Sequence, residues 1–383
     1  MQGLRRQFGG SKANPFVGAL SELESDQPEK PTVDKGEFLA FVKKRNQRSV
    51  ADINMEIAKL AMGPSGLSFD EYVYYRFYDP DVVTADEKRR FIGHSLHWRL
   101  TSKVSDLTYD ALTQDKYVTY SFFGSLGFPV PETLAIVTSG TRIFPGIHRI
   151  SDAKSLASFV ASSGEPLFFK INRGMGSWGA FICSGEEDGK LTTAPYGALT
   201  ASELMQDRIR GRDFLVQRVL PNHSALQPLS SALATVRTTN FLIDGQVTIP
   251  ICIIKLAGGA NIADNFWREG NMLADIDPET GRINRVIRGR GMSLEVLDKH
   301  PFSAVELRGF QIPFWNEVRK LNRDCALAVT SLPFTSTDIA VTHNGPVLVE
   351  MNTGGDFFIP QLASGRGFLT PEIAGLFGLK YPA

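Results

Sequence analysis

The hydrophobic and polar positions of this chain follow two different periods. From residue 35 to about 110 the spacing is helical, and GEFLAFVKKRNQRSVADINMEIAKLAM carries apolar residues at three- and four-residue intervals. Two capping boxes follow, Ser68 to Glu71 and Thr84 to Glu87. A further helix is expected from Asp115 to Ser125, ended by Gly127 and by the prolines of GFPVPET. Beyond it the texture becomes that of strands: PLFFKI (166–171), WGAFIC (178–183), DFLVQRV (213–219), ATVRTTNFLI (234–243) and QVTIPICII (246–254). Helices are interposed, one between Ser151 and Gly164 and one opened by the capping box Thr200 to Glu203. Antiparallel hairpins mixed with helices predict an α+β fold rather than a doubly wound parallel sheet.

The last strand pattern, DIAVTHNGPVLVEMNTGGD, contains an Asn-Gly pair and three polar residues that a hairpin would group. A two-residue Asn344-Gly345 turn would place Asp338 opposite Met351 and mix carboxylates with apolar residues on each face. A three-residue loop, His343 to Gly345 with Gly345 left-handed, moves the register by one and exchanges every face. Ile339, Val341, Val347, Val349 and Met351 then share one face, while Asp338, Ala340, Thr342, Leu348, Glu350 and Asn352 share the other. The clean apolar face favours this register. It sets Asp338 directly opposite Glu350, with Asn352 one diagonal step away. Opposed carboxylates repel, so a cation is expected between them. Two carboxylates and an amide oxygen are hard ligands that suit Mg²⁺ completed by phosphate oxygens and water. The competing reading is an exposed hairpin whose solvent face happens to be acidic.

Composition narrows the setting. The 383 residues suffice for two or three domains, and 43% hydrophobic with 21% charged residues is ordinary for a globular protein. Lys plus Arg and Asp plus Glu are both 41, so the chain as a whole advertises no nucleic-acid partner. Cys183, Cys252 and Cys325 stand apart without a CxxC pair, which fits a reducing, cytoplasmic setting. No window has the length of a membrane span, and the residues after Met1 lack a signal-peptide apolar run.

Other segments carry candidate chemistry. FFKINRGMGSWGAFIC places Lys170 at the end of a strand and Gly174, Gly176 and Ser177 in a turn before a returning strand. This is not the strand, loop, helix order of a P-loop or a dinucleotide-binding turn. A Gly-rich hairpin tip still lets backbone N–H groups approach phosphates, or is simply a turn beside a surface lysine. Lys116 falls in the first turn of its helix, against the helix dipole, which points to an anion or to a solvated side chain. DFLVQRVLPN runs from a strand into a Pro-marked linker whose backbone would be free to read a purine edge. Arg237, on a strand, is a sheet ion pair or a phosphate clamp. KLAGGANIADNFWREGN gathers Lys255, Asp264, Asn265 and Arg268 in a Gly-rich loop. His94 and His97, three apart in a helical region, read as packing residues for want of a third ligand.

In this order, the segments resemble the ATP-grasp superfamily. DKYVTYSFFGSLGFPVPET, ATVRTTNF, ADNFWREGN, HPF and TDIAVTHNGPVLVEMN resemble its sugar-transfer associated branch, over about residues 65 to 360. The resemblance implies two α+β subdomains clasping ATP. Residues 1–34, rich in Gly, Ser, Pro and charge, would be a poorly ordered lead-in, 35–131 a mainly helical N-terminal region, 132–212 a lid, and 213–383 a C-terminal subdomain holding the metal. It further implies that Lys116 and Lys170 bind ATP phosphates beneath Gly174, Gly176 and Ser177, and that Gln217, Arg218 and Val219 meet the adenine. Asp338, Glu350 and Asn352 would hold Mg²⁺, with Arg237, Asn265 and Lys255 near the reacting group. The implied activity is that of a carboxylate-amine ligase acting through an acyl phosphate on small molecules. A kinase on the same fold and a non-catalytic nucleotide-binding protein are the alternatives. Two departures stand out. Gln217 occupies a position commonly held by Glu, and Ser336 stands where some ligases carry Arg, leaving Arg237 or Arg268 to supply that charge.

Overall fold

The computed structural model describes residues 33–46, 49–63, 65–174, 176–379 and 381. Nearly all of the expected 1–34 lead-in lies outside them. Among the described residues, fourteen strands form two seven-stranded sheets. The first is built from β1 (Thr133–Val137), β2 (His148–Ile150), β3 (Leu167–Ile171), β4 (Phe181–Glu187), β5 (Lys190–Ala194), β6 (Gly197–Leu199) and β7 (Phe214–Arg218), in the order β2-β1-β7-β3-β4-β5-β6. Only its β1–β2 pair is parallel. The second comprises β8 (Thr235–Ile243), β9 (Gln246–Leu256), β10 (Met272–Ile276), β11 (Ile283–Arg288), β12 (Glu295–Leu297), β13 (Phe334–Thr342) and β14 (Gly345–Thr353). It is antiparallel throughout, in the order β12-β11-β10-β9-β8-β13-β14. The fold is α+β, with a group of helices ahead of the first strand and further helices between and after the sheets. The expected division at 212/213 falls just ahead of β7, which lies inside the first sheet between β1 and β3.

Period-two alternation decides which face of each sheet is apolar. On the first sheet Ala135, Val137, Leu167, Phe169, Phe181, Phe214 and Val216 pack against the helix Ala153–Ser163 and the segment 201–209. The former starts at Asp152, which caps Ser155, and stops at left-handed Gly164. The opposite face presents the row Ile182, Phe168, Gln217 and Thr133, and one step along, Lys170. On the second sheet one face packs on the amphipathic helix Trp315–Ala328, through Val236, Ile254, Ile339 and Leu348 among others. The other face, at Ile253, Leu273 and Ile287, packs on an aromatic cluster of the N-terminal helices that includes Phe38, Tyr72, Phe77 and Phe91. Those helices begin as their sequence dictates. The Ser68–Glu71 box is complete, whereas Thr84 caps Glu87 and the Glu87 carboxylate accepts instead from Gly367 N–H at 2.7 Å.

The helix Lys116–Ser125 lies between the two sheets. Tyr120 packs with Ile136 and Leu215 of the first, and Phe123 enters the core of the second. Two expectations about the final hairpin need correction. Its turn is the two-residue His343-Asn344, with Thr342 paired to Gly345, and a bulge at Val349 then shifts the register by one. The two effects cancel, so Asp338 does pair with Glu350. Between bulge and turn, however, the faces exchange: Leu348 joins the core beside Ile339, and Val347 pairs with Ala340 on the polar side.

Candidate functional site

A cavity of about 600 Å³ opens between the sheets. From the first sheet it is lined by Phe168, Lys170, Ile182, Gln217 and Arg218, from the Gly-rich turn by Gly174, Ser177 and Trp178, and from the linker after β7 by Val219. Lys116 reaches it from the interposed helix, and Val349 and Glu350 from the second sheet. Asp264 closes it from the loop between β9 and β10.

The two lysines sit in different environments. Lys116 Nζ donates to Gly174 O at 2.5 Å and pairs with Glu350 Oε1 at 3.0 Å, which joins the Gly-rich turn to β14. The helix start behind it is well capped: Asp115 accepts from Val118 N–H, and Asn172 Oδ1 accepts from Tyr117 N–H. Lys170 is buried. Its Nζ donates to the Tyr120 hydroxyl and lies 4.8 Å from the centre of that ring. Burial, and then the charge of Lys116, lower its pKa to about 7 against the opposing pull of Glu350.

A denser charge cluster lies on the second sheet. Arg237 and Asp338 are register partners on β8 and β13, and the guanidinium grips the carboxylate with Nε–Oδ1 at 2.7 Å and Nη2–Oδ2 at 2.8 Å. Lys255 Nζ adds a bond to Oδ2 at 3.0 Å and stands 3.9 Å from Asp264. Burial alone would raise the Asp338 pKa, but Arg237 and Lys255 outweigh it and hold the carboxyl well below the usual range. Asp264 is displaced the other way, raised chiefly by burial, while Lys255 and the Thr235 hydroxyl oppose the rise. Asn352 pairs with Ser336, one row from Asp338 and Glu350, and its Nδ2 is buried without a partner. Among the described residues no group of three or more His, Cys, Asp and Glu is placed to hold a metal.

The β9–β10 loop crosses to the other lobe. Asn265 Nδ2 donates to Gly176 O at 2.6 Å, and Arg268 donates to Ser177 O at 3.4 Å with its guanidinium 5.1 Å from the Trp178 ring. Gly176 has φ +62°, and a Cβ there would meet Asn265 Nδ2 at 2.8 Å, so a side chain at this junction would displace the Asn265 bond. Asn271 braces the loop from within, accepting from Gly258 N–H and donating to the carbonyls of Ala263 and Asn265.

The structure therefore gathers Lys116, Lys170, Gly174, Ser177, Gln217, Arg218, Val219 and Glu350 around one cavity. Asp338, Arg237, Lys255 and Asp264 form the adjoining charge cluster, and Asn265 meets Gly176 rather than that cluster. Of the two arginines left open by the sequence, Arg237 is the one on Asp338, and Arg268 belongs to the Gly-rich turn. His97 packs against Phe334 and Phe357. Tyr120 was not expected in the site. The signal for it was its position four residues after Lys116, on the same helix face.

The model of the family described as "Sugar-transfer associated ATP-grasp" matches residues 95–374. The chain belongs to that family. A search of the curated proteins gave no match. Among solved structures, the D-alanine–D-alanine ligase of Bacillus anthracis is similar at 14% identity and TM-score 0.40, covering 74% of this chain and 73% of that one. The biotin carboxylase of Campylobacter jejuni is similar at 13% identity and TM-score 0.40, covering 71% and 48%. The N5-carboxyaminoimidazole ribonucleotide synthetase of Thermotoga maritima is similar at 11% identity and TM-score 0.36, covering 74% and 57%. Among the described residues no helix is long and apolar enough to cross a membrane.

Proposed function

We propose that this ATP-grasp chain is an ATP-dependent carboxylate-amine ligase that joins a small-molecule acid to an amine. The observation that carries the proposal is convergence. Lys116, Lys170 and a Gly-rich turn from one side, and Glu350 from the other, meet on one cavity, with the opposed Asp338 alongside. In this reading Lys116 and Lys170 bind phosphates under Gly174, Gly176 and Ser177. The nucleotide base lies against Phe168 and Ile182, with Gln217 and the backbone of Arg218 and Val219 at its edge. The lid comprises residues 132–212, and the C-terminal subdomain begins at 213.

Glu350 and Asn352, with Asp338, would hold Mg²⁺. Glu350 and the Asn352 amide oxygen fit a hard cation that takes few protein ligands and completes its shell with phosphate. Asp338 already accepts three bonds from Arg237 and Lys255, so it would reach a metal only through its remaining acceptor site and beside those two cations. ATP, when bound with its metal, supplies the phosphoryl group that activates the carboxylate. The chain itself contributes position and charge. Arg237 and Lys255, now on Asp338, would supply positive charge toward a transferring phosphoryl group, and Asn265 holds the Gly-rich turn. Phosphoryl transfer needs no protein nucleophile, and the buried thiols Cys252 and Cys325, whose pKa values burial raises well above the ordinary cysteine value, stay outside the chemistry.

The test is ADP release from MgATP measured over a panel of carboxylic acids and amines. Release that requires one of each supports the ligase. Release with a hydroxyl compound alone identifies a kinase, and tight nucleotide binding with no turnover on any combination leaves a binding protein.

A further inference from the structure

We infer that Tyr120 is a positioning residue that links the phosphate-side lysine to the bulge setting the register of the acidic pair; this rests on the nucleotide-binding reading above. Three observations meet on one side chain. The Tyr120 hydroxyl accepts from Lys170 Nζ, and its ring lies beneath the same ammonium at 4.8 Å. The same hydroxyl donates to Val349 O at 2.7 Å, across 229 residues of chain. Val349 is the bulged residue of β14, and without that bulge the two-residue turn would leave Asp338 opposite Val349 instead of Glu350.

A bulge leaves its extra residue outside the ladder, so its carbonyl needs another donor. Tyr120 is that donor, and it comes from the helix that also carries Lys116, the ion-pair partner of Glu350. Lys116 and Tyr120 therefore hold residues 349 and 350 from one helix face, four residues apart. The ring packs with Ile136 and Leu215 of the first sheet, so one phenol ties Lys170 on β3, the central helix and the metal-side strand together. Glu350 stands opposite Asp338 and within reach of Lys116 in the register that the bulge sets. Tyr120 thus acts through Lys170 and Glu350 and touches no reacting atom in this reading.

The test is nucleotide affinity of the full chain, measured by calorimetry with ATP in saturating Mg²⁺, over a Mg²⁺ titration and in EDTA. Tyr120→Phe keeps the ring and removes one oxygen, and circular dichroism checks its fold. The expected result is about a tenfold loss of MgATP affinity, the effect of leaving a buried partner unpaired. A higher Mg²⁺ concentration for half-saturation and faster hydrogen exchange around 349–351 should accompany it. Should the Phe variant be too unstable to measure, Lys170→Met with Tyr120 intact divides the same contact, and is expected to weaken ATP binding with and without Mg²⁺ equally. The inference is overturned if Tyr120→Phe matches wild type at every Mg²⁺ concentration, or if Lys170→Met alone raises the Mg²⁺ requirement. If the wild-type chain binds no adenine nucleotide, the underlying reading fails instead.

Discussion

Asp338 and Glu350 face each other in the same row of the sheet, yet their surroundings make them different residues. Asp338 is buried and bound by two cations, so removing its charge strands Arg237 and Lys255 in a low-dielectric site. Asp338→Asn is expected to lose about 3–5 kcal/mol of folding stability along with activity. Glu350 has one ion pair and a side chain 20% exposed. Glu350→Gln should change stability by no more than about 1 kcal/mol while also stopping turnover. Urea denaturation beside an ADP-release assay distinguishes them, and equal stability of the two variants would contradict the buried-cluster account. Lys170 allows a pH prediction. Its folded pKa of about 7 lies below the ordinary lysine value, so between the two the unfolded chain binds more protons and stability rises with pH. The burden of charging Lys170 is largest below pH 7 and fades as pH climbs toward 10. Lys170→Met should therefore stabilise the nucleotide-free protein more at pH 6 than at pH 9.5, as read by denaturant midpoints; a difference of the opposite sign refutes the shifted lysine.

At the scale of elements, the hairpin shows how much the sequence could disclose and where it stopped. The Asp338–Glu350 pairing was legible because the apolar alternation allowed few registers. The route to it was not, since a three-residue turn and a two-residue turn followed by a bulge end in the same register. The lysines and Glu350 could be singled out because they are charged residues at strand and helix ends, and the structure brings Lys116, Lys170 and Glu350 to one cavity. Tyr120 was hidden because a tyrosine in FFKINRGMGS-facing packing reads as core until its hydroxyl partners are known. The β9–β10 loop was visible only as Gly-rich and polar, and its contact with the Gly-rich turn required tertiary structure. That contact can be weighed directly. Asn265 and Arg268 supply side-chain bonds to the turn from the opposite lobe, so Asn265→Ala with Arg268→Ala should release it. Hydrogen exchange of residues 176–180 should rise in the free protein, and nucleotide should dissociate faster, with the second sheet unaffected. Unchanged exchange in the double variant would show that the turn is held by Lys116 and its own backbone.

The whole molecule places its charge chemistry where two sheets, each with its own apolar core, come together over a single short helix. Separate cores would allow separate unfolding, whereas a ligand spanning the cavity would bind only when both lobes and the helix are in place. Nucleotide stabilisation is then a property of the joined molecule. At a MgATP concentration about a hundredfold above Kd, mass action adds about 2.7 kcal/mol to the state that binds. For chains of 150–250 residues each kcal/mol is worth roughly 2–4 °C, and less for a chain this long, so an upward shift of several degrees is expected. Lys116→Ala should remove most of that shift, because Lys116 touches the Gly-rich turn and Glu350 at once and so holds both walls. Its own cost in the absence of nucleotide should be limited, since its ion-pair partner Glu350 is 20% exposed and can take up water at the cavity edge, and the helix start stays capped by Asp115 and Asn172. Calorimetric scans with and without MgATP decide the matter. A wild-type shift that survives intact in Lys116→Ala would place the nucleotide away from the junction of the lobes, and a shift confined to one of two resolved transitions would place it on one lobe alone.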